Sequence, residues 1–454
     1  MTIEPDSFYP LDLEHLPRTW GVAYLRHLAE VVQPGFASGD HNREGNGIPQ
    51  LRMANITREG NLNLTRLEYV PHPKATRIRK GEILFTNTNS FDLVGKTTAF
   101  DREGEWTLSN HMTLIRLREG LNPGFFARQL HYLWMRGYFR QRCTRHVNQA
   151  SFGTTTLRDT VPLVVPPLAE QRRIVEAIEA NFARLDLGIA SLSQSMDRML
   201  RFREAVVHEV VGSADAEVGL GSARRVPLSA LGELARGKSR HRPRDEPRLY
   251  GGPYPFVQTG GIRSSGGWIR NHSQTYSEEG LAQSRLWPEG TLCITIAANI
   301  AETGILTFPA CFPDSVVGFV SSDPVLTRWI QVVLRERKAT LDAAAPATAQ
   351  KNINLKTLAR IGIPLPKTEA MKEAVDYVER GLSLVDVTQR SAASLMFRAQ
   401  KLRETILRVA FSGHLVPQDP NDEPASVLLE RIKREREMAP VLSGRRAKGA
   451  RASA

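Results

Sequence analysis

The chain has 454 residues, 41% of them hydrophobic and 24% charged, with a formal net charge of +12. That length supports two or three domains with proper cores, while no apolar run approaches membrane-span length and the opening MTIEPDSFYPLDLEHLP lacks the pattern of a secretory signal. The scattered Cys143, Cys293 and Cys311 suit neither a disulfide framework nor a metal site and fit a reducing cytoplasm, and the positive balance points to an anionic partner.

Residues 1–17 read as an irregular N-terminal extension. From Trp20 onward the text consists of short β-like runs broken by Gly, Asn and Pro. Strands are expected at 48–53, 83–86, 94–100, 112–117 and 163–165. Residues 123–142 have helical spacing and a Pro near the start, so one helix is expected there. The whole makes an α+β domain over 18–165.

A long helix follows Pro166-Pro167, since Pro is tolerated in a first turn and not inside. Its apolar residues Ile178, Phe182, Leu185, Ile189, Leu192, Met196 and Met199 alternate steps of four and three. Val206 and Val210 continue the stripe after one break, Arg203, and the pattern is that of a coiled-coil seam. The helix is expected to occupy 166–213.

The same seam returns 200 residues downstream as Val378, Leu382, Val385, Gln389, Ala392, Met396, Ala399, Ile406 and Ala410. Its exceptions return too: Arg403 matches Arg203, and Asp386 matches Asp186. Two unrelated amphipathic helices would share periodicity but not their exceptions, so a duplicated unit is the better reading. A second α+β domain is expected at 214–365, a second long helix at 366–412 and a C-terminal segment at 413–438. In that segment a short helix starts at Pro424 or Ser426, with Val427, Leu428 and Ile432 on one face. A basic tail, 439–454, reads as disordered. Helix pairing is assigned to Ile178, Phe182, Leu185, Ile189, Arg203 and Val206 against Val378, Leu382, Val385, Arg403 and Ile406. For the two arginines, two roles fit: setting register, or packing the stem with the head in water.

Charge is uneven. Residues 431–454 hold eight Lys/Arg against Glu435 and Glu437, and residues 224–248 hold eight against Glu233, Asp245 and Glu246. The first cluster is explained by a solvated tail; the second is the better candidate for phosphate contacts.

Motifs for catalysis are missing from the sequence. Gly95-Lys96-Thr97-Thr98 ends like a phosphate-binding loop, but the earlier glycine of that pattern falls on Ser90. A structural turn, or a loop whose lysine meets a phosphate, fits better. GxSxG, HExxH, CxxC and GxGxxG are all lacking, as is the Asn/Asp-Pro-Pro-aromatic run of adenine methyltransferases. No catalytic residue and no metal ligand is therefore assigned. The side chains that read phosphates and base edges crowd a few loops instead. The candidates are Arg52, Asn55, Asn87, Asn89, Lys96, Arg145, Gln149 and Ser151 in the first domain. In the second they are Lys238, Arg240, Arg242, Gln258, Thr259, Arg263, Lys351 and Asn352. An ordinary polar surface is the competing reading for each.

The stretch PPLAEQRRIVEAIEANFARLD, with REAVVHEVVG at its far end, resembles the central spacer helix of type I restriction–modification specificity subunits. KLRETILRVAFSGHLVPQDPNDEPASVLLERIKRER resembles the family's distal helical region, and VPLSALGELARGKSRHRPRDEPRLYGGPYPFVQTGGI the opening of a recognition domain. The resemblance implies an α+β fold: two target recognition domains joined by two long antiparallel helices in a coiled coil, with a pseudo-two-fold internal repeat. It implies a non-catalytic, cytoplasmic subunit of a host-defence complex. Each domain reads one half of a split, asymmetric double-stranded DNA site, and the helices set the spacing. Two methyltransferase subunits dock on it, and two ATP-dependent translocase–nuclease subunits complete the complex. S-adenosylmethionine, ATP and Mg are expected on those partners and none on this chain. The rival readings are a fused or solitary DNA-modification component, and a coiled-coil adaptor that does not touch DNA.

Overall fold

The computed structural model describes residues 7–71, 76–219, 224–239, 246–297, 299–343 and 352–438. It divides into two units, Met1–Ala190 with Leu395–Ala454, and Ser191–Ser394. Each long helix therefore gives one half to each unit.

In the first unit, Gly21–Tyr24 pairs antiparallel with Pro162–Val165. A four-stranded antiparallel sheet follows in the order Ala29–Pro34, Met112–Leu117, Ile83–Thr86, Thr97–Ala99. A second sheet orders Glu68–Val70, Ile48–Leu51, Trp106–Leu108 and Arg77–Ile78. The strand at Ile83–Thr86 is buried along its whole length, which suits its apolar text. The helix Pro123–Met135 is capped by the Asn122 side chain, which accepts from the Phe125 N–H. The single helix expected over 123–142 is broken: Gly137 is left-handed at φ 77°, and a new short helix runs Tyr138–Arg142.

The second unit repeats this plan. Arg224–Pro227 pairs with Gly362–Leu365. The sheet runs Glu233–Arg236, Val316–Val320, Leu292–Thr295, Thr303–Leu306, with Trp268–Ile269 added in parallel at its edge. The helix Pro324–Glu336 again opens on Pro and is capped by Asp323. Trp329 is buried and donates through Nε1 to the Pro364 carbonyl at 2.7 Å, tying this helix to the strand that precedes the second long helix in the chain.

The first long helix runs Leu168–Gly219 and the second Thr368–Phe411. Helix continues past residue 213, where it was expected to stop, because Val211 and Ala214 are still buried in the second unit's core. Along both helices the seam is the covered face. Ile178, Phe182, Val206, Val378, Val385 and Arg403 are buried; Leu185, Ile189, Arg203, Leu382 and Ile406 are half-buried. Within the first unit the helices run antiparallel: Asp186 pairs with Arg403, whereas Arg173, earlier in its helix, pairs with Asp422, beyond the end of the other. The C-terminal helix spans Ala425–Met438 and buries Ala425, Leu428 and Ile432. Val427 is exposed, one position off that face, so its expected place on it is corrected. The tail from residue 439 lies outside the described residues.

Candidate nucleic-acid interface

In the first unit, four of the eight candidate DNA contacts come together on one edge. The strand Thr144–Arg145 turns back into Ala150–Ser151, which pairs in turn with Thr88–Asn89. The hairpin is closed by the His146 N–H donating to the Gln149 carbonyl at 2.7 Å. Arg145, His146, Val147, Asn148 and Gln149 are all exposed. The Arg145 guanidinium sits 3.7 Å from the centre of the Phe91 ring, a cation–π stack that orients it. Ser151 meets His146 Nε2 at 3.1 Å, and Asn89 accepts the Ser90 N–H. A two-stranded ribbon with cationic and amide side chains is a shape that the DNA major groove admits.

Three of the remaining candidates point inward and are corrected. Lys96 is buried, and its ammonium donates to the carbonyls of Met53 and Ile56. Burial, with the nearby Arg58 charge, pulls it down to about 8. Asn55 is buried, accepting the Arg52 N–H and donating to the carbonyls of Asn63 and Arg66. Asn87 is buried, donating to the Asn110 carbonyl and to Thr113 Oγ1. All three spend their polar atoms on partners inside the fold, backbone carbonyls and N–H groups and, for Asn87, side-chain hydroxyls, so none faces solvent. Arg52 remains half-buried and ion-paired with Glu68.

The second unit builds the same edge differently. The Ile353 N–H donates to the Ile296 carbonyl as the Phe152 N–H donates to that of Asn87, and Ala297 bridges to Asn352 where Thr88 pairs with Ser151. Asn352 is exposed there. Arg263 is exposed beside Asn299 and Glu302, at 3.4 and 4.0 Å. Gln258 and Thr259 open the short helix Thr259–Ser264. Gln258 donates to Gln274 at 2.6 Å and lines a cleft of about 580 Å³ with Trp268, Arg270, Asn271 and His272. Lys238 is exposed. Arg240, Arg242 and Lys351 lie outside the described residues. The second basic cluster is partly committed: Arg225 pairs with Asp215, and Arg236 donates to the Asp314 carbonyl.

Sequence reasoning did not single out Phe91, His146, Asn271 or His272. An aromatic residue set in a polar loop was the available signal for Phe91. Among the described residues, no group of His, Cys, Asp and Glu could hold a metal ion, and no helix is long and apolar enough to cross a membrane.

Comparison with known proteins agrees with this duplication. The family described as type I restriction modification DNA specificity domain matches residues 17–188 and again 226–395. The chain is similar to a putative type I restriction enzyme specificity subunit, MjaX, of Methanocaldococcus jannaschii, at 21% identity over 90% of this chain and 97% of that one. It is similar to the EcoKI specificity subunit of Escherichia coli at 22% identity over 86% and 89%. In fold it resembles the HsdS subunit of Thermoanaerobacter tengcongensis, with TM-score 0.54 and 18% identity over 88% and 98% of the two chains. It also resembles a chain solved in work on complex assembly and conformational transition of the type I R-M system, with TM-score 0.72 and 19% identity over 88% and 99%.

Proposed function

The chain belongs to the family of type I restriction–modification specificity subunits, with two copies of the DNA specificity domain, and from this we propose that it reads double-stranded DNA as a bipartite, asymmetric site, one half per domain. The supporting observation is the edge built twice on the same backbone bonds, from Asn87 to Phe152 and from Ile296 to Ile353, yet carrying different side chains. A shared frame with different readers suits a site whose two halves differ in sequence.

In this reading Arg145, Gln149, Ser151 and Asn89 contact the first half, and Gln258, Thr259, Arg263, Asn352 and Lys238 the second. Exposed arginine and amide groups can bond base edges and phosphates, and the Phe91 stack lowers the ordering cost for Arg145. The long helices set the gap between half-sites. The chain acts without catalysis of its own in the cytoplasm, docking two methyltransferase subunits and, in a complete system, two translocase–nuclease subunits. S-adenosylmethionine, ATP and Mg belong to those partners, which supply adenine methylation and ATP-dependent cleavage.

The test is methylome sequencing of the host with and without this gene. The expected result is one split motif that disappears on deletion. Replacing residues 18–165 with another recognition domain should then rewrite one half and leave the other half and the gap intact. A motif that survives deletion, or a swap that changes both halves, overturns the reading.

A further inference from the structure

The hairpin at 144–151 ends on an apolar side chain. Val147 is 100% exposed, and among the described residues of 18–165 no other large hydrophobic side chain is classed as exposed. It stands at the turn closed by His146 and Gln149, between Arg145 and the amide of Asn148. Turn tips favour Gly, Asn, Asp or Ser; a β-branched apolar residue gains nothing there from the folded chain alone. The hairpin is nevertheless well held: Arg145 stacks on Phe91, His146 meets Ser151, and the strand pairs with Thr88–Asn89.

We infer that Val147 is a specificity-determining residue that packs against a thymine C5-methyl group in the major groove of the first half-site. This rests on the DNA-reading function proposed above. On a base edge facing that groove, the thymine methyl is the apolar feature, and small apolar side chains are its partners. The alternative apolar contact with DNA is a wedge between base steps, made by longer or ring side chains such as Phe, Leu, Ile, Met and Pro. Val147 is short and β-branched, so it fits a methyl contact. The neighbouring Arg145, Asn148 and Gln149 supply the polar contacts that would place it.

The experiment uses the full chain in complex with its methyltransferase partner, and duplexes carrying the motif found by methylome sequencing. Each thymine of the first half-site is replaced in turn by uracil, which removes only the C5-methyl. The expected result is one position where uracil weakens binding of the wild type about fourfold, the effect of uncovering a methyl-sized group. In Val147→Ala that thymine–uracil difference should vanish, while Val147→Thr, which keeps one methyl and the branched shape, should retain part of it. Uracil effects that are absent, or equal in wild type and Val147→Ala, overturn the inference and leave DNA reading standing. A first half-site without an A·T pair overturns it too. A loss of binding in Val147→Ala that is the same for every duplex, non-specific DNA included, would place Val147 in subunit assembly instead. Failure of the wild type to prefer its motif removes both readings.

Discussion

The two units use one backbone plan and fill it with opposite chemistry. The Thr86 N–H donates to the Lys96 carbonyl, and at the matching place the Thr295 N–H donates to that of Glu302. Lys96 turns its ammonium inward to two carbonyls, whereas Glu302 turns outward to Lys338 at 2.6 Å. The helices Pro123–Met135 and Pro324–Glu336 start alike, yet the ninth residue is a buried His131 in one and a buried Val332 in the other. On the seam, Arg403 is buried over the Phe182 ring and pairs with Asp186. Its counterpart Arg203 is only half-buried, and the position that matches Phe182 in the repeat is Leu382, which has no ring to offer. Nearby Arg335, pulled down to about 10 mainly by burial and then by the Arg203 charge, donates to the Gly266 carbonyl. Backbone bonds tolerate this freedom because they do not depend on side-chain identity. A duplicated frame can therefore diverge inside as well as at its reading edge.

The sharpest way to break this comparison is at the lysine. Lys96→Ala leaves the Met53 and Ile56 carbonyls unpaired in the interior and should cost about 3 kcal/mol, while Glu302→Ala, at a partly solvated ion pair, should cost under about 1. Urea unfolding with hydrogen exchange resolved by unit checks both, and equal losses would end the distinction. Next in size is the seam: Arg403→Ala should cost about 2 kcal/mol through its lost ring stack and packed stem, and Arg203→Ala clearly less. Loss of pairing in Arg203→Ala alone would reverse the assignment.

The smallest effect is one of pH. His131 bonds the Arg58 carbonyl through Nε2 and accepts the Thr97 N–H at Nδ1, so it is held neutral. Burial, reinforced by Arg128, lowers it to about 3. Its ordinary value is about 6.5, so below that pH the unfolded chain takes up a proton that the fold refuses. Stability from this group is complete above pH 6.5 and falls by about 1.4 kcal/mol per pH unit as pH drops toward 3. Hydrogen exchange at pH 7.5 and 5.5 should show the first unit losing more than the second, and His131→Gln should flatten the difference.

Much of the fold was legible in the residues. The heptad steps located both long helices, and the shared exceptions at Arg203 and Arg403 exposed the repeat. Boundaries were less legible. Helix runs on through Gly212 because Val211 and Ala214 have a core to enter, and the helix after Pro123 breaks at Gly137, whose left-handed turn launches a new helix. The candidate interface was legible only as a set of polar loops. Asn89, Arg145, Gln149 and Ser151 share an edge because strands distant in sequence pair there. Asn55, Asn87 and Lys96 read just as well as surface groups and are interior.

The sequence by itself determined the periodic elements and their duplication, because these rest on the spacing of residues along the chain; the family came from the resemblance of whole stretches around the two long helices. Only the tertiary structure decided which lysines and asparagines face solvent and which close the fold. A polar side chain is equally content with water or with a buried carbonyl that lacks a partner, and where such carbonyls lie depends on long-range packing.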